Sequence, residues 1–374
     1  MTVRPDRGSK RLTRRDAVRL LGAGAGLGVI SVLKGADLLA APLQKGAASS
    51  ASKVTFPKGA IIRTLLRDLP PETFQSGAIL FHEHLSWRPP QFGPPPATQP
   101  PPPAASNVDY IIEEMKAARR DGVACIVDGG QRETGRDLEA LRRIARETSM
   151  HIVASGGYYM QRVYPPDIAG KTDDQIADDL AYEATSNRYG AFGEIGQNPN
   201  AADLTPDERK VFRAVGKAHV RTGIPIFTHN SYGTGPNVPP DMGLRQLDIL
   251  ESVGVKAENV VIGHACCLDD QTAEVIKQIA KRGAFVGFDR VTGGFVPDPK
   301  KVTTILAFLE AGYADNLLLC SDFTGRRTPA RPGYGNTLTV FVPLLRKAGV
   351  KEDVLHGIVY DNPRRFLAYV PTRA

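Results

Sequence analysis

Five short apolar runs in this chain each stop on a side chain that can bind a metal ion. The run 77–81 leads into His82-Glu83-His84, Phe192-Gly193 into Glu194, Ile226-Phe227-Thr228 into His229, 260–263 into His264, and 317–321 into Asp322. On a β-strand alternate side chains share a face, which puts His82 and His84 roughly 6.5–7 Å apart on one side and within joint reach of one cation. Glu83 must then point the other way. Alone, a His-x-His pair reads equally well as two ordinary polar residues at a strand end, and a lone His or Asp there usually caps a turn. Five such endings constrain the fold. A parallel α/β barrel opens all its strand C-termini onto one face, where these would bring four imidazoles and two carboxylates together. That donor set suits zinc, manganese or cobalt.

The rest of the chain supports the same architecture. Strand-like runs at 76–84, 124–128, 151–156, 191–195, 224–229, 259–263, 284–288 and 317–321 alternate with amphipathic stretches near 108–121, 137–148, 173–190, 207–221, 242–254, 269–282, 300–312 and 337–349. Asp137 and Asp207 suit the acidic first turns of their helices. Eight βα units predict a (β/α)8 TIM barrel, an α/β fold in a single domain over 51–374. A doubly wound open sheet is the alternative, but it would spread the strand-end donors along an edge. Nine prolines between 89 and 103 lock an extended segment after the first strand. It reads as a wall over the barrel mouth, with a plain connecting loop or a proline-reading partner as alternatives.

Charge excludes one class of partner. The net charge is +7, but residues 1–50 carry nine Lys or Arg against three Asp. The remaining 38 basic and 37 acidic residues nearly cancel, so no nucleic-acid affinity follows. The basic leader holds Thr13-Arg14-Arg15-Asp16-Ala17-Val18-Arg19-Leu20, a glycine-rich apolar stretch over 20–33, and small residues to about 51. It resembles a twin-arginine export signal, which implies the twin-arginine machinery as a partner and a periplasmic or extracellular location. A disordered basic tail is the other reading. The apolar stretch is short of the roughly 20 residues that a membrane span needs. Its glycines miss the G-x-G-x-x-G spacing of a dinucleotide loop. Cleavage is expected between about 36 and 50, although no clean A-x-A site marks it.

Several motifs in order resemble the phosphotriesterase family of the amidohydrolase superfamily. They are G-A-I-L-F-H-E-H-L at 77–85, I-V-D at 126–128 with G-R-D at 135–137, A-F-G-E-I-G at 191–196, G-I-P-I-F-T-H-N at 223–230, V-V-I-G-H-A at 260–265, S-D at 321–322 and D-N-P-R-R-F-L at 361–367. The resemblance covers roughly 77–367 and implies a binuclear metal-dependent hydrolase. It assigns His82, His84 and Asp322 to one divalent ion and His229 and His264 to a second, with Glu194 bridging. Two departures bear on the substrate. Phosphotriesterases proper and the related lactonases bridge with a carboxylated lysine, so Glu194 is more similar to the phosphotriesterase-homology branch. Asp289-Arg290 stands where phosphotriesterases proper carry Asp-His, and an Arg there resembles the lactonase-like branch.

These likenesses imply hydrolysis of an ester bond in a small-molecule carboxyl ester, lactone or phosphotriester by a metal-bridging hydroxide. Asp322 would take the proton, and Tyr158, Tyr159 and Arg290 would flank the substrate, as similarly placed residues do in lactonase-like members. A Tyr pair at a strand end also reads as rim packing. The rival readings are a barrel that binds metal or ligand without turnover, and an amide-hydrolysing or deaminating member of the superfamily. Family likeness also implies a homodimer. His151, His219 and His356 read as structural. Cys125, Cys266, Cys267 and Cys320 read as buried thiols, with a metal-seeking or reactive role for Cys266 and Cys267 as the alternative.

Overall fold

The computed structural model describes residues 54–88 and 107–372, all within one unit, Ser52–Ala374. The leader and the proline-rich stretch lie outside the described residues. Eight parallel strands pair in chain order: β1 (Ala78–Glu83), β2 (Val123–Asp128), β3 (His151–Gly156), β4 (Tyr189–Gly196), β5 (Ile226–His229), β6 (Val260–Ile262), β7 (Phe285–Phe288) and β8 (Leu317–Leu319). All six residues of β1 and all eight of β4 are buried, as expected where helices cover one face of a parallel sheet and a packed interior the other.

The ring closes at the mouth. The His84 amide donates to the Phe323 carbonyl at 3.0 Å, and the Asp322 amide donates to the His82 carbonyl at 3.3 Å. Glu83 points away from its two histidine neighbours, as strand alternation requires. Its buried carboxylate accepts from Ser321 Oγ at 2.7 Å and from the Phe323 amide at 2.5 Å, which fastens the start of the sheet to its end. Burial pushes the Glu83 carboxyl up to about 6.

Helices follow the strands: α1 (Val108–Arg120), α2 (Leu138–Thr148), α3 (Asp173–Asn187), α4 (Pro206–Thr222), α5 (Met242–Glu251), α6 (Glu274–Lys281), α7 (Asp298–Glu310), α8 (Val342–Lys347), α9 (Glu352–His356) and α10 (Asn362–Leu367). Their starts show why these segments coil. Thr172 with Gln175 and Thr205 with Glu208 form reciprocal capping boxes at α3 and α4. Asp137 is the residue before α2 rather than part of its first turn, and its side chain accepts from the Ala140 amide. The expected helix at 337–349 divides into a π-helical turn, Thr337–Phe341, and α8. No helix of the described residues is long and apolar enough to cross a membrane.

The opposite end of the barrel is covered by a short antiparallel pairing of Ile62–Arg63 with Asp68–Leu69. Ile61 exchanges backbone hydrogen bonds with Tyr369, so the two ends of the described chain meet there. Phe81, Phe192, Phe227 and Phe288 are fully buried. Each such ring contributes roughly 1.5–3 kcal/mol of transfer free energy.

Candidate metal centre

The strand ends deliver six donors to one small volume. His84 Nε2 lies 3.0 Å from Asp322 Oδ1 and 3.5 Å from Glu194 Oε1. His82 Nε2 is 3.3 Å from Glu194 Oε2 and 3.9 Å from Asp322 Oδ1. His229 approaches with its other nitrogen, Nδ1, at 2.7 Å from Glu194 Oε2, while His264 Nε2 lies 2.8 Å from His229 Nδ1 and 3.5 Å from Glu194 Oε2. Glu194 is thus common to both groups of histidines. All six residues are at least nine-tenths buried except Asp322, whose side chain keeps 12% exposure.

Two of the six sit in the left-handed region, His264 at φ +54° and Asp322 at φ +48°. That conformation costs roughly 1–2 kcal/mol for a non-glycine residue and is held by specific bonds. The His264 amide donates to Asp289 Oδ1 at 2.7 Å, and the Asp322 amide is tied to β1 as described. Room for the imidazoles comes from Gly129, just past β2, where a Cβ would lie 2.8 Å from the His82 ring.

A divalent cation fits these residues. His82 Nε2 is buried, faces the carboxylates, and has no hydrogen-bond partner. Leaving such an atom unpaired is costly unless something binds it. The sets His82, His84, Asp322 and Glu194, His229, His264 each place three ligand atoms within 4.8 Å of one another. Imidazole nitrogen with carboxylate oxygen is the donor chemistry of zinc and its neighbours.

The electrostatics of Glu194, Asp322 and His229 favour cation binding, whereas His264 must give up a proton to bind a cation. Burial opposes ionisation of Glu194, but His229 and His82 outweigh it and hold its carboxyl well below the usual range. Asp322 is likewise held low, by Arg290 and His84 against burial. Burial brings His229 down to about 4, leaving a neutral donor at neutral pH. Burial and Arg290 also oppose charge on His264, yet the Asp289 carboxylate outweighs both and lifts it to about 10.

Of the three residues expected around the substrate, two border this ring. Arg290 Nε donates to Asp322 Oδ2 at 2.7 Å. The buried Tyr159 ring stands edge-on to His229 at 4.9 Å. Tyr158 turns elsewhere: its ring packs against Tyr164 at 6.1 Å, among Glu183, Lys171 and Glu133. His151, His219 and His356 lie away from the ring, against Phe74, the Ile224 carbonyl and Tyr360. All four cysteines are buried free thiols.

Three neighbours of the ring escaped the sequence reading as site residues. Asp289 accepts from both His82 and His264, the Trp87 ring packs at a tilt against His84 with centroids 4.5 Å apart, and buried Lys301 ties down the loop that carries Arg290. Asp289 did carry a signal, an Asp closing a strand-like run as Asp322 does. Trp87 and Lys301 carried none, since their roles depend on which segments meet in space.

The phosphotriesterase family model matches residues 67–367. The chain belongs to the phosphotriesterase family. It is 32% identical over 267 residues to the phosphotriesterase homology protein of Escherichia coli K12, covering 69% of this chain and 88% of that protein. A crystal structure of the E. coli phosphotriesterase homology protein, complexed with phosphate in its active site, superposes with a TM-score of 0.67 at 28% identity, covering 78% of this chain and 99% of that one. An aryldialkylphosphatase of Saccharolobus solfataricus is 31% identical, with 69% of this chain and 84% of that protein covered. The N-acetyltaurine hydrolase of Salmo salar is 24% identical, covering 69% and 76%. Phosphotriesterase family members are metal-dependent hydrolases, and this chain is one of them. Its fold, a TIM barrel with eight parallel strands, agrees with the expectation from sequence.

Proposed function

We propose that this hydrolase holds two divalent cations, zinc first among them with manganese or cobalt as substitutes, and cleaves ester bonds in small carboxyl esters and lactones or in phosphotriesters. The observation that carries the reading is the placement of Glu194, whose two oxygens lie between the His82–His84 pair on one side and the His229–His264 pair on the other. His82, His84 and Asp322 would hold one ion, His229 and His264 the other, with Glu194 shared. Bound there, the cations would supply Lewis acidity and bring the pKa of a shared water toward neutrality.

The chain's own residues account for the rest of the reaction. Arg290 keeps Asp322 ionised, so Asp322 Oδ1 can accept a proton from the attacking water and release it to the leaving group. Tyr159 and Arg290 border the ring, and each can donate a hydrogen bond to a substrate's oxygens. Trp87 and Tyr159 form an aromatic wall beside His84 and His229, and such low-dielectric surroundings strengthen the charge interactions next to it.

The test combines metal analysis with hydrolysis of an activated aryl ester, a lactone, an aryl phosphotriester and an N-acyl amide. Two equivalents of metal and turnover of at least one of the three esters are expected. Two equivalents with no turnover would favour a binding barrel. Turnover of the amide alone would favour an amidase, the second reading, which the similarity to N-acetyltaurine hydrolase supports. The leader supports export by the twin-arginine route. Replacing both Arg14 and Arg15 by lysine should leave the protein in the cytoplasmic fraction, and unchanged export would exclude that route.

A further inference from the structure

Asp289, just beyond β7, is fully buried and touches both halves of the ring without facing the donors' common centre. Its Oδ2 lies 3.0 Å from His82 Nδ1. Its Oδ1 lies 2.9 Å from His264 Nδ1 and 2.7 Å from the His264 amide nitrogen. Each imidazole turns its far nitrogen, Nε2, toward Glu194. A neutral histidine that donates through Nδ1 has its lone pair on Nε2, so an acceptor behind each ring selects the form that can bind a cation. One carboxylate does this for two histidines that belong to different ions.

We propose that Asp289 is a positioning residue that sets the tautomer of one histidine in each cation site, and that the two sites depend on its two oxygens separately. This rests on the two-cation reading above. The separation follows from hydrogen-bond chemistry. The His264 amide can only donate, so the atom opposite it must remain an acceptor. In Asp289→Asn the side-chain oxygen is therefore held at the His264 side, and the NH2 group falls opposite His82 Nδ1. That nitrogen must now accept, its proton moves to Nε2, and the lone pair that faced Glu194 and Asp322 is gone. The site built on His82, His84 and Asp322 fails while the site built on His229 and His264 survives. Asp289→Ala removes both acceptors and should weaken both sites.

The experiment uses the full chain equilibrated with zinc, with bound metal counted after dialysis against buffered zinc and histidine tautomers read from long-range proton–nitrogen spectra. Wild type should bind two equivalents, with His82 and His264 both protonated at Nδ1. Asp289→Asn should bind one equivalent tightly and the other at least 10-fold more weakly, with His82 protonated at Nε2. An Asp289→Asn protein that keeps both equivalents at wild-type affinity overturns the proposal. So does one that loses both alike, because general loosening of the mouth would not spare one site. The wild-type spectra need no variant to fold: an Nε2 proton on either His82 or His264 also overturns it. Failure of the two-cation reading would show separately, as fewer than two equivalents in wild type.

Discussion

At the scale of single residues, Gly129 is where the smallest chemical change should have the largest effect on the centre. A Cβ there would meet His82 Cδ2 at 2.8 Å, His82 Nε2 at 2.9 Å and His84 Cε1 at 3.2 Å, all inside ordinary contact distance. Because both rings are already packed, Gly129→Ala must displace them. Displacements of this kind cost about 10–100-fold in metal affinity or turnover. Metal titration and kcat/KM should both fall by that order while the melting temperature changes little, and wild-type metal affinity would show that the rings have slack. Glu133 offers a different single-residue effect. It sits beyond β2 and outside the ring, with both oxygens buried. Burial, only partly offset by its own amide, Arg136 and Arg132, lifts its carboxyl to about 7. A carboxyl with a folded pKa above its unfolded value favours folding when protonated, and that contribution disappears as pH rises through 7. From pH 4.5 to 8 the protein should lose on the order of 2 kcal/mol from this group, discounted for partial exposure. Denaturant melts at the two pH values should show a smaller loss in Glu133→Gln, and equal losses would reject the assignment.

At the scale of elements, the connection from β7 to α7 is held by one buried cation. Lys301 Nζ donates to the Arg290 carbonyl at 2.6 Å, to Asp298 Oδ1 at 2.9 Å and to the Gly293 carbonyl. Lys301→Met fills the same space but leaves these acceptors unpaired, at a cost of about 2–4 kcal/mol. Since the loop carries Arg290, KM should rise more than kcat falls, and a change in kcat alone would contradict a substrate-positioning role for the loop. Elements of this kind mark where sequence reading succeeds and where it stops. The eight strands were legible from apolar runs, and the outward turn of Glu83 from strand alternation alone. The end of β8 was not: expected to run to 321, it stops at Leu319, because the chain must swing into the left-handed turn at Asp322. Lys301 was illegible for a related reason. A lysine on an amphipathic helix reads as solvent-facing until the loop it anchors folds back over it.

At the scale of the whole molecule, the seam of the barrel and the proposed first cation site are the same place. β1 and β8 are joined beside the ring by the amides of His84 and Asp322 and by the carboxylate of Glu83. His82 and His84 stand on one side of that seam and Asp322 on the other, so an ion held by all three would bind β1 to the chain beyond β8. Ligation of the folded state alone stabilises it by about 2.7 kcal/mol at 100-fold excess over Kd, and the gain should concentrate where the ligands cross-link separate segments. Stripping metal with a chelator should therefore lower the melting temperature by several degrees. It should also speed amide exchange at His84, Asp322 and Phe323 more than at the β2–β3 pairing, which supplies none of the six donors. Restoring zinc should reverse both changes. If exchange instead rose evenly around the ring, the ion would be a passenger in a barrel already closed, and the coupling of barrel closure to cation binding drawn from this geometry would be wrong.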